Sequence, residues 1–367
     1  MTPLAPLRPV PPHRRAVRLA AAVLALALAA GACSGASDDT ADGSGSASSA
    51  PASPAPPSAS SSASAPSSTS TADALPAAPH ELSLPTLMRE EMAGGPLQRV
   101  RETAAEGPYR RFEVTYDSSG TTVSGVLLVP EGAGPFPAVV LAHGYIEPSA
   151  YVTGQGMRRE QDRLARAGYV VLHTDYRGHA ASSPASDLDR ESRLGYTRDV
   201  VNAVRSLERE PVVDAARTAV VGRSMGGAVA YNVLVAQPGL VDAAVVFAPV
   251  SSDFVDNYER WAVPERAEVV ERLTAGVGTP AENPAFYAGL SARTYADRIT
   301  EPVLIHHGTA DDTCPVVWSE ETQAAFTAAG VDSTLLTYPG EGHAFGPQFE
   351  VSMERTIAFL GEHLTSA

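Results

Sequence analysis

Ala219-Val-Val-Gly222-Arg-Ser224-Met-Gly226-Gly227-Ala-Val-Ala230 joins a short apolar run to a serine flanked by glycines and then to small, helix-compatible residues. Gly222-Arg223-Ser224-Met225-Gly226 fits the G-x-S-x-G pattern, in which a strand turns sharply into a helix and the serine occupies the corner. A residue held at such a corner crowds its neighbours two positions away. Only residues without a β-carbon let strand and helix pass so closely. The corner also puts Ser224 at a helix N-terminus, where the Met225 N–H is free to face an oxyanion forming beside the hydroxyl. The alternative is a plain Gly-Ser loop, and the flanking pattern of strand, turn and helix argues against it.

Around this stretch the chain alternates strands and helices. Tyr109 to Val129 reads as strand alternation about an Asp117-Ser-Ser-Gly120 turn, and Ala138 to His143 as a continuous apolar strand covered on both faces. Strands are then expected over Gly168–Thr174, Thr218–Val221, Ala243–Ala248, Pro302–His306 and Thr334–Tyr338. Helices are expected over Arg159–Ala167, Tyr196–Glu208, Met225–Gln237, Val316–Ala329 and Phe349–Leu364. This order predicts an α/β fold with a mostly parallel central sheet and helices on both faces. Residues 251–300 break the rhythm and read as a helical cap insertion over the strand ends.

The chain has 367 residues, of which 44% are hydrophobic, enough for a full core. Its first part reads differently. His13, Arg14, Arg15 and Arg18 form a positive segment before the apolar run Leu19–Ala30, which marks residues 1–32 as an export signal. Ala30-Gly31-Ala32-Cys33 resembles a bacterial lipobox, with Cys33 as the lipidated residue, although Ala30 stands where that pattern prefers leucine. Residues 33–79 are dominated by Ser, Ala and Pro and are expected to form a disordered tether, leaving 80–367 as the folded domain. The expected location is therefore the outer face of the cell membrane, held by a lipid anchor, with secretion as the alternative. With Cys33 and Cys314 the only cysteines, lipidation of the first excludes an internal disulfide. The formal charge is −15; the first 32 residues hold four arginines and no acid, so the rest carries −19. Such an acidic chain argues against nucleic acid as a partner. The absence of lysine excludes Ser-Lys and Schiff-base mechanisms.

A serine nucleophile needs a general base and an acid that orients it. His343 follows the last expected strand in Pro339-Gly-Glu-Gly342-His343, a loop at a strand C-terminus. Ligands bind at that edge of open α/β sheets. His173 and His306 read as packed core residues. His306 and His307 with Asp311 and Asp312 suggest a metal site at first sight. Neighbouring strand residues point to opposite faces, so these imidazoles do not share an ion, and neither a metal nor a cofactor is expected. The acid should lie between serine and histidine in the chain. Asp311 and Asp312 both qualify, one of them as a cap for the following helix.

From about residue 109 onward the chain resembles the α/β-hydrolases, and within them the catalytic domain of the prolyl oligopeptidase family of serine peptidases. The matching stretches are Gly222–Gly227, Ala248-Pro-Val250, Tyr295-Ala-Asp-Arg-Ile-Thr-Glu-Pro302, Leu304-Ile-His-His-Gly-Thr-Ala-Asp-Asp312 and Tyr338-Pro-Gly-Glu-Gly-His343. The resemblance implies a Ser224, Asp311, His343 triad, since the family's aspartate precedes a small apolar residue by three positions and Cys314 takes that place. Cys314 then reads as a packing residue. It also implies an oxyanion hole built from the Met225 and Tyr145 amides. The family often places a tyrosine where His143 stands, so that hydroxyl donor is missing. Phe254, Tyr258 and Trp261 resemble the aromatic wall of its proline pocket, with plain core packing as the alternative. About thirty globular residues precede the first expected strand, too few for the family's N-terminal propeller. The implied activity is that of a serine peptidase acting on a small peptide; a carboxylesterase acting on an ester, or a binding lipoprotein that has kept the fold, are the alternatives.

Overall fold

A computed structural model describes residues 75–364. The export signal, Cys33 and the chain up to residue 74 lie outside the described residues. Residues 75–79, which composition assigns to the tether, meet the domain where the Arg89 guanidinium donates to the Pro76 carbonyl at 2.6 Å.

Nine strands form one sheet: β1 Gln98–Thr103, β2 Tyr109–Ser118, β3 Thr121–Pro130, β4 Phe136–Ala142, β5 Val170–Thr174, β6 Val213–Arg223, β7 Ala243–Phe247, β8 Val303–Gly308 and β9 Ser333–Tyr338. Their spatial order is β1-β2-β3-β5-β4-β6-β7-β8-β9. The pairs from β1 to β3, and β3 with β5, are antiparallel; from β5 across to β9 every pair is parallel. In the β2-β3 hairpin Ser118 faces Thr121, and Ser119 and Gly120 turn the chain with φ of 52° and 80°. Two positive φ values in a two-residue loop match the right-handed twist of the strands.

The central strands are apolar on both faces because both are covered. Ala138, Val140 and Ala142 of β4 join Val220, Ala244, Val246 and Ile305 in one core with the helices Leu194–Leu207 and Met225–Ala236. Val139 and Leu141 join Ala219, Val221, Val245 and Leu304 in the other, with the helices Arg158–Arg166 and Phe349–His363. Alternate residues of one strand thus feed opposite layers, which is the period of two made physical.

Two strands depart from the sequence reading, and the short helices Leu84–Leu87 and Asp187–Ser192 were not expected either. β1 was not anticipated: five of its six residues are exposed, so no alternation marks it. β6 starts at Val213 rather than Thr218, its first half running past the buried segment. Residues 251–300 are helical and irregular, with the longest helix at Ala267–Val277.

The strand order fixes where ligands can approach. β4 pairs with β5 on one side and β6 on the other, so the loops leaving β4 and β6 diverge and open a crevice above their C-terminal ends. His143-Gly144-Tyr145 leaves β4 there, and Ser224 leaves β6.

Candidate active site

Ser224 has φ 57° and ψ −120°, a conformation that costs a non-glycine residue roughly 1–3 kcal/mol and persists only where the surroundings enforce it. Enforcement is visible on both sides of the residue. The Ser224 amide donates to the Phe247 carbonyl at 2.9 Å, and the Ser224 carbonyl accepts from the Gly227 and Val250 amides at 2.9 and 3.1 Å. The glycines have no room to be anything else. A β-carbon on Gly226 would stand 1.9 Å from the Ala142 carbonyl oxygen, and one on Gly222 would stand 2.3 Å from that of Gly226. The helix Met225–Ala236 runs from the corner straight into the core, every residue buried.

Two backbone N–H groups flank the serine. Met225 is the first residue of its helix, and Tyr145 lies on the loop from β4, where Gly144 packs close to the Ser224 side chain. Neither amide has an acceptor among the described residues.

Arg223, the variable residue before the serine, is held by Glu160 and donates to the His343 carbonyl at 3.2 Å. Its guanidinium also lies 5.0 Å from the Phe247 ring centre. Sequence reasoning missed both Arg223 and Glu160, whose pairing joins the end of β6 to the helix Arg158–Arg166 and leaves no local signal. This contact ties the histidine loop to the elbow.

His343 Nδ1 and Asp311 Oδ2 are 2.8 Å apart. Asp311 follows β8, and its other oxygen accepts from the Thr313 and Cys314 amides, both at 2.9 Å. Burial pushes the Asp311 carboxyl up, but hydrogen bonds from His307, His343 and the Cys314 amide outweigh it and hold the group well below the usual carboxylate range. Asp312 is exposed and does not reach His343. The Ser224 hydroxyl lies beside the Cys314 thiol, and Ser224 and His343 line one cavity of about 770 Å³.

The remaining histidines take other places. His306 sits between Tyr338 Oη at 2.7 Å and Thr356 Oγ1 at 3.0 Å, with burial pulling its pKa down to about 3. His307 points to the opposite face, to Ser319 Oγ at 2.6 Å and the Cys314 carbonyl at 2.8 Å, with Asp311 Oδ2 3.4 Å away. His307 thus supports the Asp311 loop, a role the sequence did not suggest. His143 is fully buried, its ring tilted against that of Tyr176 with centroids 4.4 Å apart and its Nδ1 2.6 Å from the Gly144 carbonyl oxygen. Burial lowers it to about 4.

Phe254, Tyr258 and Trp261 all line the cavity. Phe254 and Tyr258 are at the same time core residues packed on Tyr287, and Trp261 meets Trp318 edge-on at 5.5 Å. The trio thus lines the cavity and packs in the core at once. Cys314 packs with Ala228, Val250 and Trp318; burial and the Asp311 charge push its thiol up to about 12.

The model of the prolyl oligopeptidase family matches residues 156–367, more than half of the chain. The chain belongs to the prolyl oligopeptidase family. Relatives in the family include the uncharacterized peptidase YuxL of Bacillus subtilis (strain 168), 27% identical over an aligned length of 299, covering 73% of this chain and 40% of that protein. The acylamino-acid-releasing enzyme of Sus scrofa is 26% identical over 80% of this chain and 40% of its own length. The chain thus spans about two fifths of the length of each of these two relatives. Among solved structures, a puromycin-hydrolyzing peptidase of Mycobacterium tuberculosis superposes with a TM-score of 0.56 at 23% identity, covering 73% of this chain and 39% of that one. An acetyl xylan esterase of Paenibacillus sp. R4 superposes with a TM-score of 0.58 at 22% identity, covering 75% of this chain and 92% of that one. The fold is that of the α/β-hydrolases, and the family to which the chain belongs is one of peptidases.

Proposed function

We propose that the chain transfers acyl groups to water through Ser224, His343 and Asp311. His343 Nε2 takes the Ser224 proton as Oγ attacks a carbonyl carbon, and the Met225 and Tyr145 amides donate to the oxyanion. Asp311 keeps the proton of His343 on Nδ1, leaving Nε2 free to act as base. The imidazolium then protonates the departing amine or alcohol, and water, activated by the same nitrogen, releases the acyl group. The observation that carries this reading is the 2.8 Å contact of His343 Nδ1 with Asp311 Oδ2, with His343 and Ser224 on the wall of one cavity.

The reading favoured for the substrate is a short peptide, in keeping with the family. A carboxylesterase is the second reading, supported by the near-complete match of the esterase fold, 92% of its chain, to this one. Hydrolysis of aminoacyl-proline amides against short-chain p-nitrophenyl esters separates them. Amide turnover lost in Ser224→Ala supports the peptidase; ester turnover alone selects the esterase, and neither would leave a binding protein. The N-terminal part is proposed to export the chain and anchor it through lipid on Cys33, which membrane release of a Cys33→Ala variant would test.

A further inference from the structure

Five arginines line the cavity that holds Ser224: Arg190, Arg193, Arg223, Arg266 and Arg272. Four of them face a carboxylate. Arg190 and Arg272 pair with Asp187, Arg266 with Glu191 and Arg223 with Glu160. Arg193 has no ion pair, and its guanidinium donates no hydrogen bond among the described residues. Its surroundings are hostile to an unpaired cation: burial pulls the guanidinium down to about 10, opposed chiefly by Glu191, which is already engaged with Arg266. It nonetheless stays charged at neutral pH. Even a partly desolvated charge without a partner is costly, and Arg carries five donors in a fork that suits a carboxylate.

The residue is pinned. Arg193 has φ 62° and sits between the short helix Asp187–Ser192 and the helix Leu194–Leu207. Its amide donates to the Arg190 carbonyl at 3.3 Å, and its own carbonyl accepts from the Thr197 amide at 2.9 Å. Arg193 also borders a smaller cavity with Ser251, Phe254 and Asn257, which His343 does not reach. Asn257 Oδ1 is buried there without a partner; a neutral acceptor, it cannot discharge the guanidinium and is suited to a ligand N–H.

We infer that Arg193 is a specificity-determining residue, and that the cavity takes substrates bearing a carboxylate on the acyl half. The side of the scissile bond rests on the Ser224 reading: His343 protonates the leaving group, so that group lies over His343, and the smaller cavity beside Arg193, which His343 does not line, is left to the acyl half. Carboxylate binding itself needs no turnover. Glu147, Glu265 and Glu268 also line the cavity, but all three are exposed, whereas Arg193 is half-buried.

The test uses two ligands that differ only in charge, N-acetylglutamate α-methylamide and N-acetylglutamine α-methylamide, titrated calorimetrically into the Ser224→Ala chain. The acidic ligand is expected to bind at least about tenfold tighter, the span of a charge-assisted hydrogen bond. Arg193→Gln in that background should bring the two to parity without weakening the neutral ligand, and Arg193→Lys should retain part of the preference. Equal binding before substitution overturns the inference, as does an equal loss for both ligands in Arg193→Gln, which would mark a structural or carbonyl-holding role. The matching p-nitroanilides and methyl esters, given to the unsubstituted chain, should show the same preference in kcat/KM. A binding preference with no turnover would sink the Ser224 reading and leave this one standing.

Discussion

Replacing Asp311 by Asn keeps the shape of the acid and reverses one end of it. Oδ1 accepts from the Thr313 and Cys314 amides, and an asparagine oxygen placed there serves both equally well. The amide NH2 then occupies the position of Oδ2, 2.8 Å from His343 Nδ1. Two donors cannot face each other, so the imidazole must present Nδ1 as an acceptor and carry its proton on Nε2. That tautomer cannot take a proton from Ser224. The expected loss in kcat is about 10³–10⁴, or about 4–5.5 kcal/mol of transition-state stabilisation, with KM little changed. Steady-state hydrolysis of a p-nitrophenyl ester measures it, with circular dichroism establishing that the variant folds. Asp312→Asn, at an exposed position, should stay within about twofold of the parent, as surface substitutions do. Retention of more than about a tenth of kcat in Asp311→Asn, or a comparable loss in Asp312→Asn, would refute the argument.

Gly226→Ala forces a β-carbon to 1.9 Å from the Ala142 carbonyl, so the elbow or β4 must move and both melting temperature and activity should fall sharply, by about 1–3 kcal/mol or more in stability. Gly361→Ala, in the last helix with nothing within 4 Å, should instead stabilise the chain by about 0.5–1 kcal/mol in thermal melts. Glu160→Ala strands the Arg223 cation and slackens its hold on the His343 carbonyl, at about 3–5 kcal/mol in denaturant titrations. Burial depresses His143 to about 4, His306 to about 3 and His173 well below its ordinary value. Unfolding lets each recover a pKa near 6.5 and take up a proton, so stability should fall as pH drops from about 6.5 toward 4, by up to about 1.4 kcal/mol per pH unit per histidine. A melting temperature flat across that window would contradict their burial as neutral imidazoles.

The central fold was legible because the strands that build it are covered on both faces. A fully buried strand such as Ala138–Ala142 can only be apolar, and its boundaries follow from composition. β1 carries no such imprint, being exposed along five of its six positions, and it escaped notice. The elbow was legible for a steric reason, since contacts of 1.9 and 2.3 Å at Gly226 and Gly222 leave no other residue possible. What a sequence cannot display is which charges meet. Arg223 and Glu160 lie 63 positions apart, and His307 meets both Asp311 and the Cys314 carbonyl only because the loop after β8 turns back on the strand. Arg193 is conspicuous only once the partners of the other four arginines are known. The choice between Asp311 and Asp312 likewise turns on the path of that loop, which buries the first and exposes the second.

Intact-mass analysis after reaction with a fluorophosphonate, followed by peptide mapping, tests the central claim most directly. The account predicts a single covalent adduct on the peptide carrying Ser224, absent in Ser224→Ala and greatly slowed in His343→Ala. An unlabelled Ser224, or an adduct that persists in Ser224→Ala, would contradict it.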